Sequence, residues 1–402
     1  MQATKTKSAK KWIRPRHRII RALLGWAVHL YVRLRYNIRI EKCRQERPML
    51  VLMNHQTPFD QFFAALAFRQ PVYFLATEDI FSLGWVSDLI RWLVAPIPIK
   101  KQTTDISAVM TCIRVAREGG TLCIAPEGNR TYSGRTEYMN PAIAGLARKM
   151  GLPIALFRLE GGYGAEPRWS DTVRRGSFRG YVSEIIEPEA YNEMTAEQLV
   201  TRIREGLAVD EAEDTRRYTG NRRAEYLERM VYTCPFCGLA EWESHGNEIT
   251  CKRCGRKVRY EQTKRLSGVG FDFPFPYTAQ WYDWQKDYMN GLDVTAMTDT
   301  PLFRDTASLF EVIVYKEKRL LRKDAALALY GDRVVIDGEL TLPFGEVSAA
   351  AVLGRNKLNL YHKDMVYQIK GGKRFNALKY VHVYHRHKNI TRGDADGKFL
   401  GL

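Results

Sequence analysis

Apolar positions change period along this 402-residue chain. Residues 18–36, RIIRALLGWAVHLYVRLRY, carry a helical pattern in which the polar residues form the narrow stripe. Arg18, Arg21, Gly25, His29 and Arg33 fall at steps of three and four, with Ile, Leu, Trp, Val and Tyr around the rest. From about 46 to 210, short apolar runs alternate with helical repeats. PMLVLM (48–53), PVYFLA (71–76), VAPIPI (94–99), TLCIA (121–125), PIALFRL (153–159) and GYVSEII (180–186) read as strands. Residues 58–69, 82–93, 104–119, 140–151 and 195–207 read as helices. Such alternation predicts an α/β domain on a largely parallel sheet, with its chemistry in loops beyond the strand C-termini. Residues 211–230 are charged and polar and read as a helical linker. Residues 263–304, rich in aromatics, show no assignable period. From about 305 the pattern is mostly β, broken by Gly, Asp and Asn turns. It closes with Phe375, Leu378, Val381 and Tyr384 on one helical face.

Charge narrows the partners. The formal net charge of +17 favours an anionic one: nucleic acid, a membrane surface or a phosphorylated substrate. Residues 1–40 hold eleven Lys or Arg and no Asp or Glu. The apolar run 22–32 is shorter than the ~20 residues of a spanning helix, and no small-residue cleavage site follows it. Residues 1–45 therefore read as a basic amphipathic segment lying in the interface of an anionic membrane, peripheral or monotopic. A core helix with a basic tail is the alternative.

VLMNHQTPFD (51–60) puts His55 and Asp60 where a strand hands over to a helix. Thr57 suits an N-cap and Pro58 a first helical residue, which places Asp60 in the first turn. The bend lets the carboxylate accept from one imidazole nitrogen, fix the tautomer and leave the other nitrogen to act as a base. A capped helix start beside an ordinary loop histidine is the bland account. A second strand-end loop, CIAPEGNRTYSG (123–134), gathers Glu127, Gly128, Arg130, Ser133 and Gly134. Backbone N–H groups and a guanidinium there can hold a phosphate.

Together the two stretches resemble the glycerolipid acyltransferase family, whose typical member acylates 1-acylglycerol-3-phosphate to phosphatidic acid. NHQTPFD matches the family's NHx4D block. PEGNRTYSG resembles its PEGTRS block, with Asn129 for Thr and Thr131 for Ser, and GLPIALFRL (151–159) looks like its later proline block. The resemblance covers about residues 15–210. It implies direct acyl transfer from an acyl thioester, on coenzyme A or an acyl-carrier protein, with His55 as base and Asp60 orienting it. Asn54, Glu127, Gly128 and Arg130 would contact substrate. The family's arginine between these blocks is missing from VAPIPIKKQTTD (94–105), where Lys100 and Lys101 are the substitutes. A lyso-aminolipid acceptor, or a non-catalytic lipid-binding role, are the rivals. The cytoplasmic face of a membrane is the expected location.

Seven cysteines, four of them in one 21-residue window, argue for a metal in a reducing compartment rather than a disulfide framework. CPFC (234–237) and CKRC (251–254) are each followed by glycine. Cys234, Cys237, Cys251 and Cys254 can close a tetrahedral structural zinc site, iron being the alternative. Lys252, Arg253, Arg256, Lys257 and Arg259 could give that ribbon a basic face, but nucleic acid is not the expected partner. The C-terminal β region resembles a PH-like or GRAM-like domain, a class that binds anionic lipids or proteins. His362, His382, His385 and His387 could suggest a metal set, but the last three fall at steps of three and two, off one helical face, and a solvated face is the reading. The expected organisation is 1–45 membrane segment, 46–210 acyltransferase domain, 211–230 linker, 231–262 zinc ribbon, 263–304 unassigned, and 305–402 PH-like domain.

Overall fold

The computed structural model describes residues 11–99, 105–136, 138–313 and 316–393. Lys100 and Lys101 lie outside the described residues. The first half runs α1 (Pro15–Tyr36), β1 (Ile38–Ile40), β2 (Leu50–Met53), α2 (Asp60–Ala67), β3 (Val72–Thr77), α3 (Trp85–Val94), β4 (Ile97–Ile99), α4 (Ile106–Arg117), β5 (Thr121–Ile124), α5 (Ala142–Met150), β6 (Ile154–Glu160), α6 (Gly162–Ala165), β7 (Phe178–Ile186), α7 (Pro188–Asn192) and α8 (Ala196–Leu207). The sheet order is β1-β7-β6-β2-β5-β3-β4. Pairings from β6 through β4 are parallel, while β7 runs antiparallel to β6. Both faces of β2 are buried, which is why its sequence is an unbroken apolar run. Leu50 and Leu52 pack with Cys112, Ile143 and Ile203 of α4, α5 and α8. Val51 and Met53 pack with Val32, Phe63 and Ala67 of α1 and α2.

α1 is amphipathic in reverse. Its inward face includes the polar positions: Arg21 donates from Nη2 to the carbonyls of Ala65 and Phe68, at 3.0 and 2.7 Å, at the C-terminal end of α2. A cation there meets the negative pole of the helix and its orphan carbonyls. Ile19, Leu23, Trp26, Leu30 and Leu34, at steps of three and four, point outward, with Trp26 72% exposed. No described helix is long and apolar enough to cross a membrane.

The second half runs β8 (Thr233–Cys234), β9 (Gly238–Leu239), β10 (Trp242–His245), β11 (Glu248–Cys251), β12 (Lys257–Tyr260), β13 (Leu266–Gly268), α9 (Thr278–Asn290), β14 (Phe303–Glu311), β15 (Arg319–Leu329), β16 (Arg333–Ile336), β17 (Leu340–Pro343), β18 (Val347–Leu353), β19 (Lys357–His362), β20 (Met365–Gly371) and α10 (Leu378–Thr391). Strands β14–β20 form one antiparallel sheet, order β17-β16-β15-β14-β20-β19-β18. Cys234, Trp242, Trp281, Leu309 and Tyr380 belong to one continuous apolar core. The cysteine-bearing strands, the aromatic segment and the large sheet thus fold as one mass.

Two expectations are corrected here, and one unassigned stretch is filled. Residues 211–230 are not a helical linker. They hold a single 3-10 turn, Leu227–Arg229, and Glu211, Ala212, Tyr218, Ala224 and Met230 are buried. Their charges read as solvated because the sequence does not show which distant backbone groups they meet. The unassigned stretch contains α9, whose Trp281 and Tyr282 enter the shared core. His382 is fully buried and contacts the Tyr232 hydroxyl through Nδ1 at 2.5 Å, so α10 does not present a solvated histidine face there.

The two halves are bonded together at Asp79, just after β3. Its carboxylate meets Lys318, Lys357 and Gln368 of the large sheet. Burial pushes this carboxyl upward, but Lys357 and Lys318 outweigh it and hold it down at about 2.

Candidate active site

β2 and β5 are parallel neighbours, with Leu50 opposite Leu122 and Leu52 opposite Ile124. Their following loops therefore emerge side by side at the C-terminal edge. The loops are laced together by two bonds. The His55 amide donates to Glu127 Oε1 at 2.8 Å, and the Thr131 amide donates to the His55 carbonyl at 3.0 Å.

Asp60 is the first residue of α2 and is completely buried. Its carboxylate accepts from His55 Nδ1 at 2.8 Å, the Gln56 amide at 2.6 Å, the Thr57 amide at 2.9 Å and Thr57 Oγ1 at 2.6 Å. A carboxylate acceptor on Nδ1 places the imidazole proton there and leaves Nε2 as the basic nitrogen. The His55 side chain is 24% exposed. The capping expectation is reversed. The helix begins at Asp60, not Pro58, and Thr57 does not cap it. Instead the aspartate inside the helix gathers the loop amides before it.

Asn54 is pinned at both ends. Its Nδ2 donates to the Leu159 carbonyl at 2.9 Å, and its Oδ1 accepts from the Leu159 amide at 2.7 Å. Both amide groups thereby join β2 to β6 rather than projecting at a substrate. Gly128 sits at φ +70, in the left-handed region, where a side chain would strain the turn.

A brace missed by the sequence lies behind the histidine loop. Buried Glu211 accepts from Gln56 Nε2 at 2.8 Å and from the Gly161 amide. Gln56 Oε1 in turn accepts from the Gly162 amide at 2.9 Å. Burial raises the Glu211 carboxyl, with the Gly161 amide and Arg216 opposing it. The only sequence signal was a lone Glu at the start of a charged run.

Arg130 is buried, and its Nη2 donates to the Gly354 carbonyl at 3.2 Å, across the boundary between the halves. Arg168 is also buried. It donates to the Arg130 carbonyl at 2.8 Å and the Val352 carbonyl at 3.2 Å, and its guanidinium lies 4.2 Å from the Tyr132 ring centre. Burial first, then the like charges of Arg168 and Arg355, pull the Arg130 guanidinium down to about 10, still charged at neutral pH.

The four cysteine sulfurs of 234, 237, 251 and 254 lie within 4.8 Å of one another. Cys234–Cys254 and Cys237–Cys251 are 3.8 and 3.7 Å apart. These are not disulfide distances. Metal–sulfur bonds of ~2.3 Å place tetrahedral sulfurs about 3.8 Å apart, so the donor set fits such a metal.

Comparison with known proteins points to the first half. Residues 35–156 match the family model "Acyltransferase". Over 149 residues the chain is 24% identical to a chloroplastic 1-acyl-sn-glycerol-3-phosphate acyltransferase, BAT2, from Brassica napus. That match spans 36% of this chain and 42% of the relative's length. The 1-acyl-sn-glycerophosphate acyltransferase PlsC from Thermotoga maritima superposes with a TM-score of 0.40 at 20% identity, covering 48% of this chain and 80% of that one. The His55–Asp60 pair and the Arg130 loop both fall inside residues 35–156, the segment that matches the acyltransferase family model.

Proposed function

We propose that this chain transfers a fatty acyl group from an acyl thioester to the hydroxyl of a lysophospholipid at a membrane surface. The thioester is carried by coenzyme A or an acyl-carrier protein, and 1-acylglycerol-3-phosphate is the acceptor this reading names. The observation that carries it is the His55–Asp60 pair, held by direct bonds beside the Arg130 loop. The acceptor hydroxyl oxygen attacks the thioester carbonyl carbon while His55 Nε2 takes its proton. The C–S bond then breaks, and the proton returns to the leaving thiolate. Asp60 holds the imidazole in the required tautomer, and Arg130 binds the acceptor phosphate. Glu127, Gly128 and Asn54 shape the two loops. Purified protein in vesicles should acylate a phosphate-monoester lysolipid at least tenfold faster than a phosphate-free lyso-aminolipid, and Arg130→Ala should erase the preference. Equal rates in the wild type would overturn the phosphate assignment.

Two outward apolar faces support membrane docking. On α3, Trp85, Leu89 and Trp92 lie at steps of four and three, with Trp85 74% exposed. α3 neighbours the start of α1: Arg16 Nε donates to the Trp92 carbonyl at 3.1 Å and Trp12 Nε1 to the Ala95 carbonyl at 3.0 Å. Aromatics flanked by Arg16, Arg18 and Arg91 suit the headgroup region of an anionic leaflet. In this reading the protein sits peripherally on the cytoplasmic face. The double variant Trp85→Glu/Trp92→Glu should cut co-sedimentation with anionic vesicles about tenfold or more. Undiminished binding would exclude α3 from the contact.

The thiol cluster is assigned a structural zinc ion, since four thiolates complete a tetrahedron and leave no position for reacting water. The large sheet closed by α10 is assigned a PH-like role in holding this assembly to anionic lipid.

A further inference from the structure

The acyltransferase-family match ends at residue 156, yet the surroundings of Arg130 do not. The tight turn between β18 and β19 reaches across from the other half. Gly354, at φ +60, presents its carbonyl to Arg130 Nη2. The next residue, Arg355, bonds through Nη2 to Glu166, and its Nε lies 3.2 Å from Asp171. Glu166 is itself buried and also accepts from the Tyr36 hydroxyl, while Asp171 is shared with Arg229. Of the four guanidiniums gathered here, only Arg229 and Arg355 pair with the two carboxylates, and Arg130 and Arg168 do not.

Arg130 and Arg168 are the under-served members. The contacts of Arg168 are neutral: three oxygens and the Tyr132 ring. Arg130 Nη1 and Arg168 Nε are buried and have no hydrogen-bond partner among the described residues. A buried guanidinium with an unmet donor is costly, and an oxyanion with several lone pairs is the group that satisfies it.

We propose that Arg130, Arg168 and Arg355 form one phosphate-binding site, which the C-terminal half completes by supplying Arg355. This rests on the acyl-transfer reading for its location beside His55, but its chemistry is independent of transfer. A phosphate oxygen takes the place of the Gly354 carbonyl on Arg130, and Arg355, whose Nη2 stays on Glu166, contributes its Nε, which makes no hydrogen bond among the described residues. The site needs only the phosphate monoester, whether on a lipid headgroup or as the free ion.

The test is calorimetric titration of the full-length, metal-loaded protein with sn-glycerol 3-phosphate, inorganic phosphate and glycerol. Wild type should bind the first two and not glycerol. Tighter binding of sn-glycerol 3-phosphate than of phosphate marks a headgroup site, and the reverse order marks a free-phosphate site. Arg355→Gln should weaken phosphate-bearing ligands about tenfold or more, and Arg355→Lys, which keeps charge without the fork, by less. Arg319→Gln, exposed on the same sheet, should bind like wild type. Because Arg355→Gln leaves Glu166 with one partner fewer, each melting temperature is measured, and Arg355→Lys decides the matter if the glutamine variant does not fold.

No binding by wild type, or wild-type affinity in a folded Arg355 variant, overturns the proposal. The acceptor KM separates this from failure of the acyl-transfer reading. Transfer with an unchanged KM in Arg355→Gln removes Arg355 and leaves that reading standing. Arg355-dependent phosphate binding without transfer to any acceptor removes that reading and leaves the site.

Discussion

Replacing His55 by alanine is expected to lower the acyl-transfer rate about a hundredfold to ten-thousandfold, the range a positioned general base contributes. The fold should survive. Asp60 keeps the Gln56 amide, the Thr57 amide and the Thr57 hydroxyl as donors, so the loop stays anchored without the imidazole. The His55 backbone bonds to Glu127 and Thr131 also remain. The loss should therefore appear in kcat, with melting temperature and acceptor KM nearly unchanged. Initial rates with labelled acyl-CoA at saturating acceptor, paired with a thermal melt, check both halves of the expectation. Wild-type turnover in a folded variant would remove His55 from the chemistry.

With the proposed structural zinc held by the four thiolates, replacing Cys251 by serine should release the ion and with it the order of the second half. Binding of structural zinc to small ribbons is worth about 10–16 kcal/mol, as much as the entire stability of an ordinary domain. Here the ligands are not at the end of an appendage. Cys234 and Cys251 lie in the same core as Trp281, Leu309 and Tyr380, so unlinking the thiolates loosens the strands that bear the Gly354 turn. Elemental analysis should find one zinc per wild-type chain and none in the variant. Limited proteolysis should then cut readily after residue 230 in the variant alone. A metal-free wild type with a normal melt would show instead that the cysteines are plain core thiols.

Legibility followed the range of the interactions. The central strands β2, β5 and β6 could be read because they are buried along almost their whole length, and Leu50–Met53 needs no partner information to look like a strand. His55 and Asp60 could be read because five residues and one bend hold the pair together. The spacing of the four clustered cysteines carries its own geometry. What the sequence concealed depends on contacts between residues far apart along the chain, from 44 positions for Arg21–Ala65 to 189 for Glu166–Arg355. Glu211 looks like one solvated carboxylate among many until the Gly161 amide and Gln56 are seen to surround it. Arg168 and Arg355 have no neighbours in sequence that mark them. The stripe on α1 was visible, but not its direction: Arg21 turns inward because the end of α2 offers it carbonyls.

The Glu211 brace has a consequence for anyone trimming this protein. A fragment cut at residue 210 would keep all of residues 35–156, which match the acyltransferase family model, and still lose the carboxylate behind Gln56. It would also shed the turn that meets Arg130. The first half is thus not a cassette that can be lifted out, fused elsewhere or swapped at its sequence boundary. Its His55 loop is braced from outside, by a carboxylate beyond the segment that matches the family model.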